Sequence, residues 1–332
     1  MNSYEMSKEE LIKRVDVETP HVVILGAGAS IASVIKGDKN GLRLPSMMNF
    51  VEILDLSKLL EDNGIESNRN FELIYSDLHN TNPDSKLIKE VESRVYDYFS
   101  KLELPDKPTI YDYLVLSLRE KDVIATFNWD PFLLQAYIRN QHVAKLPKLL
   151  FLHGNVMLGI CVKDKLKGVN GSICNKCGNT LTPSKLLYPV ANKDYISDSF
   201  ISNEWTTLKN VLHQACVVTI YGYGAPESDK SAIELMSEAW GKVSSRNMEQ
   251  IEIIDIKPET KLVKSWKKFI HTHHYETHKD FMKSFIALYP RRTGEAYITQ
   301  YFDAKFLESN PLPQKLNFND LWKWFDELKK YE

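Results

Sequence analysis

Short apolar runs alternate with amphipathic stretches along most of the chain. Five runs of four to seven residues are rich in Val, Ile and Leu and predict buried β-strands. The runs cover residues 21–25, 122–126, 149–152, 216–221 and 250–256. Between them lie stretches with apolar residues three and four apart, as at 202–214 and 232–243, which predict helices. Strands that alternate with helices predict an α/β protein with a doubly wound, mostly parallel sheet.

Three regions depart from this alternation. Residues 47–120 have helical periodicity interrupted at Asn82-Pro83 and predict a helical insertion. Residues 155–190 are rich in loop formers and predict a small ribbon-like insertion. We therefore expect one domain over 1–258, followed by a C-terminal helical segment over 259–332. The aromatic residues of that last segment fit either a buried helix stripe or a docking surface.

The first apolar run ends in the glycine turn Gly26-Ala27-Gly28-Ala29-Ser30. A strand, a Gly-x-Gly turn and a helix predict a Rossmann-like nucleotide site, because glycine has no Cβ to obstruct a pyrophosphate and a helix N-terminus supplies N–H donors. The usual third glycine and a clear acidic residue after the second strand are missing from the sequence. Structural turns also use glycine, so the turn alone leaves both interpretations open.

Polar side chains follow the second and third apolar runs. Asn128 and Asp130 follow one run and His153 follows the next, at the edge of the sheet where open α/β proteins bind ligands. An asparagine there can hold a hydroxyl or a water, an aspartate can bind an amide or a positive charge, and an imidazole can act as a general base. The structural alternatives are that Asp130 caps the helix beginning at Pro131 and that His153 only packs.

A second glycine turn, Gly222-Tyr223-Gly224, follows the fourth apolar run. This strand, like the first, therefore ends in glycines, and a helical stretch follows the turn. Ser228 and Asp229 come shortly after it, and we expect them to cap the next helix. The last run ends at Asp255.

Four cysteines in 332 residues are too few for a disulfide framework. Cys174 and Cys177 have the Cys-x-x-Cys spacing of a metal knuckle, and Cys161 stands upstream of them. Three thiolates leave tetrahedral zinc one ligand short. Two interpretations remain: a zinc site with an unidentified fourth ligand, or a knuckle held together by packing alone.

Composition adds few constraints. The chain has 42 basic and 44 acidic residues, a formal charge of -2, and no basic run typical of direct nucleic-acid binding. No secretory signal and no stretch of ~18 apolar residues occurs, so we expect a cytoplasmic protein without a membrane span.

Taken in order, these motifs resemble those of the sirtuin family from about residue 21 to 258. The resemblance implies that NAD is the substrate. By resemblance His153 is the catalytic base, Asn128 contacts the nicotinamide ribose, and Asp130 binds the nicotinamide amide. It also implies that the three cysteines belong to a zinc ribbon. The residues expected to bind NAD are Gly26, Ala27, Gly28, Ser30, Pro45, Thr126, Gly222, Tyr223, Gly224 and Asp255.

Two departures separate the chain from the protein deacylases of that family. Residues 44–47 read Leu-Pro-Ser-Met where the family has Ile-Pro-Asp-Phe-Arg-Ser, and residues 188–193 lack its Phe-Gly-Glu pattern. The helical insertion and the Gly-Tyr-Gly turn are more similar to bacterial sirtuin-like NADases of antiphage defence. That resemblance implies an NAD glycohydrolase that depletes NAD, forms a homo-oligomer and has an activating protein partner. NAD-dependent protein deacylation and an NAD or ADP-ribose sensor are the alternatives.

Overall fold

The computed structural model describes residues 4–190, 193–246, 248–271 and 274–332. Within these ranges the strands are β1 Glu5–Met6, β2 His21–Leu25, β3 Val123–Thr126, β4 Lys148–Phe151, β5 Leu158–Cys161, β6 Leu166–Val169, β7 Thr182–Pro183, β8 Val217–Tyr221, β9 Gln250–Ile254, β10 Tyr275–His278 and β11 Phe306–Leu307. Backbone pairing groups the strands into sheets of six, three and two strands.

The helices lie mainly between the strands of the largest sheet. They are α1 Lys8–Lys13, α2 Ala27–Ser33, α3 Phe50–Ile53, α4 Ser57–Glu61, α5 Phe71–Thr81, α6 Lys86–Ser100, α7 Ile110–Leu116, α8 Phe132–Asn140, α9 Ser199–Gln214, α10 Lys230–Trp240, α11 Glu259–Trp266, α12 Phe285–Leu288, α13 Thr293–Tyr301 and α14 Phe318–Lys329. Among the described residues, no helix is both long and apolar enough to cross a membrane.

The six-stranded sheet confirms the predicted α/β class. Its strand order is β10-β9-β8-β2-β3-β4, and every neighbouring pair is parallel. The chain adds β3 and β4 on one side of β2, then returns to add β8, β9 and β10 on the other. The order therefore reverses between β2 and β8, which is where an open α/β sheet forms a crevice at the carboxyl ends of its strands.

The C-terminal segment contributes two strands, β10 and β11, that the hydrophobic pattern does not predict. Tyr275–His278 forms β10, which pairs with β9 at the edge of the large sheet. Its residues are mostly only partly buried, because an edge strand has a neighbour on one side alone. The sequence Tyr-Glu-Thr-His lacks the kind of apolar run that predicts β2, β3, β4, β8 and β9, so the prediction of helices alone in this segment is wrong.

The helices between 50 and 116 pack on the loop that follows β3. Phe50 stacks on Phe71 with ring centroids 4.1 Å apart, and Phe99 meets Trp129 edge-on at 5.8 Å. All four rings are buried. This aromatic cluster places the helices directly over Asn128 and Asp130, the neighbours of Trp129.

The ribbon begins and ends beside His153. Its three antiparallel strands have the order β6-β5-β7. The backbone N–H of Leu187 donates to the carbonyl of His153 at 3.0 Å, and the N–H of Asn155 donates to Ser184 Oγ at 3.0 Å. The two ends of the ribbon are therefore bonded to each other at the end of β4.

Candidate functional site

The two glycine turns interlock at the point where the strand order reverses. Gly28 donates its N–H to the carbonyl of Gly222 at 2.9 Å. A Cβ on Gly26 would lie 2.5 Å from Tyr223 Cα, and one on Gly222, where φ is +60°, would lie 2.2 Å from Ala29 N. Packing between the turns therefore requires these glycines. The predicted role of Gly26 and Gly28, to leave free N–H donors and open space for a pyrophosphate, is wrong for both. The N–H of Gly26 donates to the Tyr221 carbonyl at 3.0 Å, that of Gly28 donates to Gly222, and the second turn fills the space beside both glycines.

A cavity of about 390 Å³ opens beside these turns at the carboxyl edge of the sheet. Most of the site residues predicted from the sequence line this cavity. These are Gly26, Ala27, Ser30, Pro45, Asn128, Asp130, His153, Gly222, Tyr223 and Gly224. Residues far apart in the sequence thus share one crevice, as parallel strand ends dictate.

Three predicted binding residues do not line the cavity. Gly28 packs against Gly222, as described above. Thr126 is buried and its hydroxyl accepts the N–H of Asn128 at 3.0 Å, so it shapes the loop beneath the site. The Asp255 carboxylate accepts the N–H of Lys257 at 2.9 Å, and Lys257 itself lines the cavity in its place.

Asn128 is held by its amide nitrogen. Nδ2 donates to the Gly26 carbonyl and to Ser30 Oγ, both at 2.9 Å, and lies 3.3 Å from the Tyr111 hydroxyl. Ser30 Oγ and the Tyr111 hydroxyl are themselves 2.6 Å apart. Among the described residues, no donor is bonded to Asn128 Oδ1. The oxygen is therefore the atom of this side chain that is left to accept a hydroxyl or a water.

Asp130 is a buried carboxylate with few partners. Its Oδ1 accepts the N–H of Phe132 at 3.2 Å, which is the helix-capping contact that its position before Pro131 predicted. Burial raises the pKa of Asp130 from 3.8 to about 6, although Ser30 and the backbone oppose the rise. The side chain thus both caps α8 and presents a carboxylate that favours a cationic partner.

His153 is neutral at physiological pH. Burial lowers its pKa to about 4, against the attraction of Asp229 and with the help of Lys193. Phe127 meets the imidazole edge-on at a centroid distance of 4.8 Å, and the Tyr195 hydroxyl lies 3.3 Å from Nε2. A neutral imidazole that lines a cavity can accept a proton from a bound water.

Sequence analysis missed a buried ion pair beside His153. Lys193 Nζ donates to Asp229 Oδ1 at 2.6 Å and to the Ser228 carbonyl at 2.8 Å, and all three residues line the cavity. The Tyr223 hydroxyl donates to Asp229 Oδ2 at 2.8 Å. The prediction that Asp229 caps the next helix was wrong: it is the first residue before α10, but its side chain makes no capping bond there.

Two further charged side chains line the cavity without having been predicted. Glu72, from α5, accepts the N–H of Ser228 at 3.2 Å, so the helical insertion contributes directly to the wall. Lys257 lies beyond β9, and its Nζ would be 2.6 Å from a Cβ on Gly224. A charged residue three positions after the end of β9 was the available signal for Lys257.

The ribbon gathers four potential metal ligands, including one that the sequence analysis did not identify. Single ligand atoms of Cys161, Asp164, Cys174 and Cys177 all lie within 4.8 Å of one another. Cys161 Sγ is 3.5 Å from Cys177 Sγ, and Asp164 Oδ2 is 3.2 Å from Cys174 Sγ. Ligand bonds of ~2.3 Å for sulfur and ~2.1 Å for oxygen give tetrahedral edges of about 3.8 Å between two sulfurs and about 3.6 Å between sulfur and oxygen. The donor set and its spacing fit structural zinc, with Asp164 as the fourth ligand.

Comparisons with known proteins return structures but no sequence relatives. No protein-family model and no curated protein matches the chain. The chain is similar to Sir2 solved with an inhibitor, 2'-O-acetyl-ADP-ribose and a deacetylated p53 peptide, with 14% identity over 86% of this chain and 94% of that one and a TM-score of 0.38. The chain is also similar to Sir2Tm bound to a propionylated peptide, with 14% identity over 86% of this chain and 93% of that one and a TM-score of 0.37. A structure concerned with sirtuin substrate affinity has 16% identity over 80% of this chain and 91% of that one, with a TM-score of 0.41. At these values the neighbours say nothing about this chain's substrate or reaction.

Proposed function

We propose that this chain is an NAD glycohydrolase, which hydrolyses NAD to nicotinamide and ADP-ribose. The observation that carries the proposal is that a neutral imidazole, a fixed carboxamide and a poorly partnered carboxylate line one cavity where the strand order reverses. His153, Asn128 and Asp130 supply these three groups. The sirtuin-like order of motifs agrees with this assignment.

The positions of the lining residues suggest how a dinucleotide would lie. Asp130 suits the nicotinamide end, because its carboxylate attracts the positively charged nicotinamide ring of NAD. The interlocked turns lie in the middle, where a pyrophosphate would cross between β2 and β8. Lys257, which follows β9 and lies beside Gly224, would meet the adenosine half.

The chemistry needs one water and no redox step. The bond between the ribosyl C1' and the nicotinamide nitrogen breaks, and its electron pair leaves with the ring as neutral nicotinamide. Asn128 Oδ1 orients the attacking water, whose oxygen bonds to C1' while His153 takes its proton. Charge develops on the ribose as the ring leaves, and the Asp130 carboxylate stabilises it in an enclosed site. Zinc in the ribbon would take no part in these steps.

One feature of the cavity favours water over an acyl-lysine as the nucleophile. The cavity wall beside His153 contains the Lys193 and Asp229 ion pair. The Lys193 side chain is only 3% exposed, so its ammonium group already occupies this side. An acyl-lysine would have to place its apolar stem against these charges, which costs desolvation energy.

We further propose that the activity serves antiphage defence by depleting NAD in the cytoplasm. A homo-oligomer and an activating protein partner belong to the same proposal. These points rest on the resemblance to bacterial sirtuin-like NADases and on the harm that an unrestrained NADase would do to its own cell.

The test follows nicotinamide and ADP-ribose by chromatography after the purified protein is incubated with NAD. We expect His153→Ala and Asn128→Ala each to lower turnover by about 100-fold or more, as is typical when a general base or a positioning group is removed. His213→Ala is the matched control, because His213 is exposed on α9, and it should leave turnover unchanged. Equal turnover by wild type and His153→Ala would refute the proposal.

The two alternative functions give different products. A deacylase would form acyl-ADP-ribose when an acyl-lysine peptide is added with NAD, whereas the hydrolase forms ADP-ribose with or without the peptide. A sensor would bind NAD in a calorimeter and release no nicotinamide, both alone and in a lysate that contains its partners.

A further inference from the structure

His153 lies beside a buried ion pair formed by Lys193 and Asp229. We propose that Asp229 and Lys193 are positioning residues that set the basicity of His153 in opposite directions. Asp229 favours the protonated imidazole, and Lys193 opposes it. The catalytic meaning of this arrangement rests on the proposed function, but the arrangement itself can be tested without any substrate.

The distances define the arrangement. Asp229 Oδ1 lies 2.6 Å from Lys193 Nζ and 4.0 Å from His153 Nε2, so one oxygen faces both groups. The other oxygen, Oδ2, accepts the Tyr223 hydroxyl at 2.8 Å. Side-chain exposure is 3% for Lys193 and about 7% for Asp229, so solvent screens these charges little.

Three different parts of the chain bring these groups together. His153 follows β4, Asp229 stands immediately before α10, and Lys193 lies in the loop before α9. Lys193 is fixed by the Ser228 carbonyl as well as by Asp229, which orients its ammonium group within the wall. Tyr223, from the second glycine turn, fixes Asp229 from the opposite side.

The other groups that face His153 are uncharged. Burial raises the pKa of Tyr195 and of Tyr223 well above 10, so both hydroxyls keep their protons. Phe127 packs edge-on against the imidazole. Glu72 lies in the adjoining wall, where it accepts the Ser228 N–H. Among the described side chains, Lys193 and Asp229 are therefore the charges that act most directly on the imidazole.

This arrangement has a direct consequence for proton transfer. When His153 takes a proton from water, the imidazolium forms 4.0 Å from an Asp229 carboxylate that is already partly neutralised by Lys193. Burial acts to raise the pKa of Asp229, but His153 and Lys193 hold this pKa below its ordinary value. The Asp229 carboxylate is therefore charged. Asp229 thus stabilises the product of the transfer, and Lys193 weakens that stabilisation.

A merely structural ion pair would behave differently. Loss of either partner of such a pair destabilises the fold in the same direction. The positioning role instead predicts opposite changes at a third residue. The pKa of His153 is the quantity that separates the two.

The experiment is an NMR titration of the His153 imidazole in the full chain, assigned by comparison with His153→Ala. We expect Lys193→Met to raise the pKa of His153 and Asp229→Asn to lower it, each by about one unit, the size expected for a nearby buried charge. Lys193→Arg keeps the charge and should restore the wild-type value. Lys185→Met is the matched control, because Lys185 is exposed in the same segment, and it should change nothing.

Shifts in the same direction, or no shift in either variant, would overturn the proposal. If one single variant fails to fold, the double variant Lys193→Met with Asp229→Asn removes both charges and should return the pKa of His153 to within about half a unit of wild type. A double-variant pKa that differs by more would equally overturn it. Opposite shifts in a protein that shows no NAD turnover, either alone or in a lysate that contains its partners, would support the arrangement and refute the proposed function.

Discussion

Asp122 and Asp130 stand at opposite ends of β3 and are almost equally buried, with exposures of 2% and 3%. Asp122 accepts the N–H groups of His21 and Arg119 at 2.9 and 2.8 Å, and the Lys121 ammonium at 2.9 Å. Asp130 accepts the N–H of Phe132 and a hydrogen bond from Ser30, but it has no ion-pair partner among the described residues. Burial acts to raise the pKa of both carboxyls. The partners of Asp122 reverse that effect and lower its pKa, whereas the pKa of Asp130 rises to about 6.

The difference separates a charge that holds the fold from one that is available to a ligand. Asp122 ties the start of β3 to the start of β2 and to the preceding turn. Asp130 lines the cavity and bears a charge that the protein only partly compensates. Buried groups of this second kind are typical of functional sites, where stability is lower than it would be with a neutral residue.

The largest effect that we expect on stability comes from the well-partnered end. Asp122→Asn keeps the shape of the side chain but removes the charge from three donors, and it should lower the free energy of unfolding by roughly 3 kcal/mol. Urea denaturation at pH 7 measures the change. Glu120→Gln, at an exposed position nearby, is the control and should differ by less than about 0.5 kcal/mol. A loss below about 1 kcal/mol for Asp122→Asn would remove the basis of the comparison.

Asp130→Asn should act in the opposite direction. A pKa that rises from 3.8 to about 6 corresponds to a destabilisation of roughly 2 to 3 kcal/mol at neutral pH, at about 1.4 kcal/mol per unit. The asparagine keeps a cap for Phe132 and removes the buried charge, so the free energy of unfolding should increase by up to that amount. NAD turnover should fall at least 10-fold in the same variant. A less stable Asp130→Asn protein would show that the carboxylate is structural.

The pH dependence of stability gives a finer test of the same pair. Asp130 has a raised pKa in the folded state, so its folded state is favoured at low pH and that advantage is lost as pH rises through about 6. The gain from Asp130→Asn should thus be near zero at pH 4 and complete by pH 7.5. Asp122 has a lowered pKa, so the stability it contributes is present above pH 4 and is lost below it. Chemical denaturation at pH 4, 6 and 7.5 distinguishes the two windows.

The smallest effect should come from the group that supports Asn128. Tyr111→Phe removes a hydroxyl that lies 2.6 Å from Ser30 Oγ and 3.3 Å from Asn128 Nδ2. We expect a loss of about 1 kcal/mol in stability and about 10-fold in kcat/KM, because Asn128 keeps its bonds to Gly26 and Ser30. Steady-state kinetics and thermal denaturation check both values. An effect on kcat/KM as large as that of Asn128→Ala would make the hydroxyl itself part of the reaction.

Sequence analysis located the sheet and one side of the site because both depend on local patterns. Apolar runs identified β2, β3, β4, β8 and β9, and parallel strands place the residues after them at one edge. That rule was enough to bring Asn128, Asp130 and His153 together. It did not identify β10, whose residues are mostly polar.

The other side of the site could not be predicted in this way. Lys193 and Asp229 are 36 residues apart, and neither follows a strand directly. A lysine and an aspartate in such positions are usually solvated, and only the folded loops bury them together. Asp164 differs, because Cys161-x-x-Asp164 repeats the spacing of Cys174-x-x-Cys177 and was present in the sequence as a signal.

Because the two ends of the ribbon meet beside His153, the ribbon is a position at which one inserted segment can be replaced by another. Loop-closure entropy changes slowly with length, and the bonds from Leu187 to His153 and from Asn155 to Ser184 close the stem whatever lies between. A foreign module with closely spaced termini could therefore be grafted in place of the hairpin formed by β5 and β6 without moving the His153 imidazole. Such a chimera would link the state of the grafted module to the cavity through the hydrogen bonds of this stem.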